Sequence, residues 1–179
     1  EYFQRFFKTA KGEYGYGDRF LGVRVPVIRV VAKRYENLPL ESVKDLLTSK
    51  YHEERFLALV LLSTRYKKVE SSRQLIYRFY LQHKKYVNSW DLVDTSAHNI
   101  IGHYLFSEKD KSLLFKLANS KNIWDRRIAI ISSFYFIKNN YFVDSINLSK
   151  KLLFDKEDLI HKATGWMLRE IGKRELSVL

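Results

Sequence analysis

The sequence predicts an all-α protein, an α-solenoid of HEAT-like helical repeats forming a curved superhelix with a basic concave face. Three observations lead there. Backbone breakers are scarce: two prolines, Pro26 and Pro39, and seven glycines, four of them between Gly12 and Gly22. The rest of the chain is free to stay helical. Longer apolar stretches begin near His52, Asn88, Asn122 and Glu157, at intervals of 34 to 36 residues, with shorter ones between them. A two-helix unit on this beat cannot bury its own apolar face, so units must stack into a superhelix. Finally, three segments on the beat, Asn88–Leu105, Ile123–Ile137 and Leu159–Lys173, each set a tryptophan beside charge: Trp90, Trp124 and Trp166.

The elements follow in chain order. Lys11–Arg19, with Gly12, Gly15 and Gly17, is expected as a loop. It is not a phosphate-binding fingerprint, because no strand precedes it and no Gly-Lys-Ser/Thr follows. Pro26 suits the first turn of a helix over Val25–Tyr35, and Pro39 that of Leu40–Thr48. Shorter helices fit Ser72–His83, Lys109–Ala118 and Asp144–Leu153. The tetratricopeptide pattern of Trp, Leu-Gly and Tyr is absent, which favours HEAT-like units. In the last long helix Ile160, Ala163, Met167 and Ile171, with Leu168 alongside, recur at helical spacing and should face inward. Lys162, Trp166, Arg169 and Lys173 recur on another face. An aromatic within a basic stripe suits nucleic acid.

Composition narrows the function. The 179 residues suit one domain over 1–179, and 46% hydrophobic residues suffice for a core. The chain stops at Leu176–Leu179, early in what reads as a further helix, so it is expected to be cut short at that end, and its start at Glu1 rather than Met leaves trimming in front open. Thirty-two Lys and Arg against 20 Asp and Glu give a net charge of +12, and such a field attracts a polyanion. An anionic membrane surface, or solubility alone, are the competing readings. The absence of cysteine removes disulfides and thiolate sites and fits a cytoplasmic protein. No apolar run approaches the roughly 18 residues of a membrane span, and no signal-peptide pattern opens the chain.

Among candidate residues, Trp90 and Asp94 are four apart and share a helix face. Asp91 lies near the helix start, where an acid favours the dipole, and that role is preferred for it. Asp94 sits a turn in, among apolar residues, where an unpaired carboxylate costs several kcal/mol. Arg126 or Arg127 of the next repeat could pair with it, and a structural bridge and a functional role stand equal. Each tryptophan is more often core than ligand platform. His52-Glu53 opens like a metalloprotease helix but lacks the second histidine. His98 and His103 are poorly spaced for a metal, and His161 is expected to pack between repeats.

Four separated motifs carry a family resemblance. Ser89-Trp90-Asp91-Leu92-Val93-Asp94-Thr95-Ser96-Ala97, Trp124-Asp125-Arg126-Arg127-Ile128-Ala129 and His161-Lys162-Ala163-Thr164-Gly165-Trp166-Met167-Leu168-Arg169-Glu170 resemble the signature segments of AlkD-type DNA alkylation repair proteins. Gly17-Asp18-Arg19-Phe20-Leu21-Gly22-Val23-Arg24-Val25-Pro26 is similar to that family's N-terminal loop. The resemblance runs over nearly the whole chain. It implies a HEAT-like solenoid acting as a monofunctional glycosylase, which releases N3- and N7-alkylated purines from double-stranded DNA without metal or cofactor. It makes Asp94 the catalytic carboxylate, with Trp90 and Trp166 flanking the deoxyribose and Arg127 holding a backbone phosphate. Arg24 and Arg169 fall where the family contacts DNA, and the stripe adds Lys162 and Lys173. A monomer is expected. The alternative is a non-catalytic solenoid that binds damaged or branched DNA, or a protein scaffold.

Overall fold

Helix occupies most of the chain, and the glycine-rich stretch between Phe6 and Val25 is its longest non-helical segment. The structure, a computed structural model, describes residues 2–179, with side chains from residue 4 onward. Its helices are α1 (Tyr2–Phe6), α2 (Val25–Arg34), α3 (Leu40–Leu47), α4 (His52–Lys68), α5 (Arg73–His83), α6 (Trp90–Ala97), α7 (His103–Ser107), α8 (Ser112–Ala118), α9 (Ile123–Ser132), α10 (Phe134–Lys138), α11 (Val143–Lys151) and α12 (Asp158–Gly172). Among the described residues the extended pairing is one isolated bridge, Arg19 to Tyr51, and no strand forms. No described helix is long and apolar enough to cross a membrane.

Backbone contacts divide the chain into two units, Glu1–Leu92 and Val93–Leu179. In the first, α4 is the central element: α2, α3 and α5 all pack on it. Its length is apolar on most sides, and Phe56, Ala58, Leu59, Leu61, Leu62 and Tyr66 are buried. Pro26 stands in the first turn of α2, as the sequence indicates, and Pro39 is the N-cap of α3. In the second unit α9 packs on α8 and α12, and α11 on α12. Ile128, Ala129, Ile130 and Ile131 of α9 are fully buried. Ile160, Ala163, Met167 and Ile171 of α12 face the core as their spacing predicts, while Leu168 is half-buried.

Two of the expected long helices are interrupted. Over Asn88–Leu105, the α-helix gives way to a π-helical turn at His98–Gly102 before α7 resumes. Over Ile123–Ile137, α9 ends at Ser132 and α10 starts at Phe134. The two breaks touch. A Cβ on Gly102 would stand 2.1 Å from the Ser132 carbonyl oxygen, so the backbones meet where no side chain fits. Buried serines bond locally around the second break: Ser133 Oγ donates to the Ile130 carbonyl and Ser145 Oγ to the Ser133 carbonyl. Periodicity marks apolar positions but does not see a closed-down helix contact of this kind.

Candidate functional site

Asp94 projects from α6 and is about one-fifth exposed. Arg127, from α9, reaches it as a two-point fork: Nε donates to Oδ1 at 2.9 Å and Nη2 to Oδ2 at 2.8 Å. Nη1 of the same guanidinium donates to the Leu159 carbonyl in the first turn of α12 at 2.5 Å. Planar bidentate pairing fixes a carboxylate in orientation as well as position. Arg127 is 5% exposed, so this ion pair is mostly out of water on the arginine side and open on the carboxylate side. The local sequence explains the placement. Asn122 caps α9 by accepting from the Trp124 N–H at 2.8 Å, and Asp125 stands in the first turn.

Of the two arginines that could have met Asp94, Arg127 does so. Arg126 turns to Asp155, with Nε to Oδ2 at 2.6 Å and Nη2 to Oδ1 at 3.1 Å. Asp155 also accepts from the Glu157 N–H ahead of α12. Burial pushes the Asp155 carboxyl up, but the bonds from Arg126 and Glu157 outweigh it and hold it below the usual carboxylate range. Arg126 therefore braces the turn between α11 and α12. Trp124 is 8% exposed and is core. His161 departs from expectation: it is exposed rather than packed, with Nε2 2.5 Å from the Asp155 carbonyl. Its position on α12 faces the solvent side shared with Lys162.

Trp166 is half-buried on α12. Phe134 lies beside it, ring centroids 5.2 Å apart, and the Lys138 ammonium stands 4.3 Å over the Phe134 ring. Lys162, Arg169 and Lys173 are exposed on the same helix. Lys162 pairs with Asp158 and Lys173 with Glu170, each at 2.7 Å. Exposed pairs of this kind contribute little and exchange partners readily. Gly165, next to Trp166, is exposed within the helix, and a Cβ there would meet nothing within 4 Å. A mid-helix glycine normally weakens a helix. Gly165→Ala should therefore raise stability by roughly 0.5–1 kcal/mol, read as a higher thermal midpoint; a lower midpoint would show a contact that the glycine protects.

In the first unit, Trp90 opens α6 and is half-buried. Phe7 stacks on it at 5.5 Å with planes 17° apart, and Phe6 meets it edge-on at 5.8 Å. Arg24 precedes α2 and is exposed. The loop leading to it is pinned from α4. Glu53 accepts from the N–H groups of Leu21, Gly22 and Val23 at 2.9, 2.8 and 3.3 Å. Gly22 has φ +85° there, a left-handed conformation that suits glycine.

Sequence reading missed the most buried ionic group of this unit. His52 is 3% exposed and lies between two carboxylates, Nδ1 3.1 Å from Asp18 Oδ2 and Nε2 2.8 Å from Asp91 Oδ2. Arg55, also 3% exposed, adds a fork to Asp18, Nη2 lying 2.8 Å from both oxygens. Burial pushes the imidazole down, but the bonds to Asp18 and Asp91 dominate and raise it to about 9. Asp91 is thus in the first turn of α6, as the dipole argument has it, and is also a partner of His52. The available signal was positional: His52 and Asp91 each fall in the opening turn of a helix, 39 positions apart.

Among the described residues, no group of three His, Cys, Asp or Glu is arranged to hold a metal ion. Comparison with known proteins bears on this arrangement. Comparison with curated proteins gives no significant match. A solved structure described as a predicted DNA alkylation repair enzyme from Enterococcus faecalis superposes with a TM-score of 0.65 at 18% identity. The match covers 99% of this chain and 83% of that one. At that identity the likeness establishes a common fold. The family model for DNA alkylation repair enzymes matches residues 1–178. The chain therefore belongs to the DNA alkylation repair enzyme family.

Proposed function

We propose that this protein is a monofunctional DNA glycosylase of the AlkD type, a HEAT-like solenoid that hydrolyses the N-glycosidic bond of N3- or N7-alkylated purines in double-stranded DNA. The observation that carries the reading is Asp94, a carboxylate clamped at both oxygens by Arg127 yet still open to solvent, one helical turn from Trp90. An N7-alkylated purine is already cationic, so its bond to the sugar is weak and no general acid is needed. The C1′–N9 bond breaks, its electron pair stays with the base, and the base leaves neutral. Positive charge develops at C1′, where a fixed carboxylate stabilises it without reorganising. Water then adds to C1′ and its proton passes to the carboxylate or to solvent. Trp90 and Trp166 would flank the sugar with electron-rich faces.

Arg24, Arg169, Lys162 and Lys173 would hold phosphates, and Arg127, nearly buried against Asp94 and the Leu159 carbonyl, would have to open from that pairing to hold one. The clearance above Gly165 gives a backbone room to come close beside Trp166. The non-catalytic DNA binder has one observation in its favour: Arg127 occupies both oxygens of Asp94, as a purely structural ion pair would.

Incubation with duplex DNA carrying N7-methylguanine distinguishes the two. The expected result is release of the free base and an abasic product, with no base lost from undamaged duplex. DNA affinity should also fall steeply with salt, because each neutralised phosphate releases counterion. Binding without base release would support the non-catalytic reading. No binding at low salt would remove both.

A further inference from the structure

The cluster of Asp18, His52, Arg55 and Asp91 is not used by the chemistry above, yet it lies directly behind Trp90. Asp91 is the residue next to Trp90. Phe7 touches both: its ring is 5.5 Å from the indole and 4.7 Å from the imidazole. Phe20 completes the packing, 5.0 Å from Phe7 and 4.8 Å from His52. His52 is therefore connected to Trp90 by two routes, through the backbone of the opening turn of α6 and through the Phe7 ring.

We propose that His52 is a positioning residue for Trp90: bridging Asp18 and Asp91, it fixes the first turn of α6 and the plane of the indole that would flank the lesion's sugar. The proposal rests on the glycosylase reading for its functional consequence. A purely cohesive role fits the site poorly. A buried ionic cluster is a weak source of stability, and apolar residues of similar volume often do better. What it supplies is direction, since two charge-assisted bonds from opposite ring nitrogens leave the imidazole one orientation. The groups facing His52 are Asp18 from the loop before α2, Asp91 from α6 and Arg55 from its own helix. Glu53, the neighbouring acid, is committed to the N–H groups of Leu21–Val23.

The bridge needs a doubly protonated ring. His52 holds that proton up to about pH 9, well above the roughly 6.5 of a free histidine. The stabilisation it brings is complete below about 6.5, shrinks as pH rises, and is gone above 9. The test labels the whole chain with 5-fluorotryptophan and follows the three fluorine resonances from pH 7 to 9.5, each assigned by its Trp→Phe variant. The Trp90 resonance should step near pH 9 while those of Trp124 and Trp166 hold still. Single-turnover release of N7-methylguanine should fall over the same window.

His52→Gln should abolish the step. It should slow release at pH 7 by roughly tenfold to a hundredfold, the scale of a misplacement near 1 Å, with binding of undamaged duplex unchanged. An unmoving Trp90 resonance, or wild-type release by His52→Gln, overturns the proposal. Should His52→Gln not fold, the titration of the unaltered chain decides. A wild type that releases no base but shows the Trp90 step overturns the glycosylase reading and keeps the coupling of His52 to Trp90.

Discussion

Asp94→Asn is expected to release N7-methylguanine about 10²–10³ times more slowly than the wild type, the usual loss when one preorganised electrostatic stabiliser is removed. Asparagine keeps the shape and one acceptor oxygen for Arg127, so the α6–α9 contact survives in part. What disappears is the negative charge facing C1′. Binding to undamaged duplex should hold or tighten, because a charge that repels phosphate has gone. The two effects thus move apart, and that separation is diagnostic. Arg127 enters as a control. Arg127→Met leaves Asp94 charged but unclamped; because that carboxylate is partly open to water, the cost should fall below the roughly 3–5 kcal/mol of a fully buried pair, still visible as a lower thermal midpoint. If Asp94→Asn excises at the wild-type rate, Asp94 is a brace for α9 and the mechanism proposed above is wrong.

Gly102→Ala should carry a larger stability loss than Gly→Ala at either other glycine of the second unit, Gly165 or Gly172. Its Cβ would meet Ser132 O at 2.1 Å, Ser132 C at 3.0 Å and the Tyr135 Cβ at 3.0 Å. The nearest obstacle is backbone, which cannot swing aside as a side-chain tip can. Overpacking of this kind costs about 1–3 kcal/mol and occasionally more. For a chain of this size that corresponds to a thermal midpoint lowered by roughly 3–10 °C. The contrast with Gly165→Ala is the useful control, since one glycine borders a carbonyl and the other borders open space. Equal midpoints for wild type and Gly102→Ala would mean that the π turn at His98–Gly102 relaxes freely.

The helices were legible because their apolar spacing is regular and the breakers are few. Ile160, Ala163, Met167 and Ile171 illustrate this, each buried where the period puts it. The Asp94–Arg127 pair was legible as one of two options, because a carboxylate within an apolar run needs a cation and the next tryptophan-bearing segment offers two. Which arginine would turn inward was not, since adjacent residues on a helix differ by about 100° and the choice depends on where Asp155 lies. His161 was misjudged for a related reason: its surroundings are set by the turn at Asp155, outside its own helix period. The breaks at His98–Gly102 and Ser133 escaped because small residues there serve backbone approach, which leaves no apolar signature. The imidazole bridge escaped because its parts lie far apart in sequence and none of them is unusual alone.

That distance along the chain has a consequence for how the first unit comes together. Its packing includes helices adjacent in sequence, α3 to α4 and α4 to α5, beside the longer-range contact of α2 with α4, and local closures are the faster kind. His52 instead ties residues separated by 34 positions toward Asp18 and 39 toward Asp91. Each tie closes a long loop and gains its reward only after the chain entropy has been lost. The bridge is therefore expected to form late in assembly, once the helices that carry its members are in place. An interaction absent until then slows unfolding rather than hastening folding. The ionic cluster behind Trp90 should therefore behave, in kinetic terms, as a latch: His52→Gln should speed unfolding of the first unit more than it slows folding.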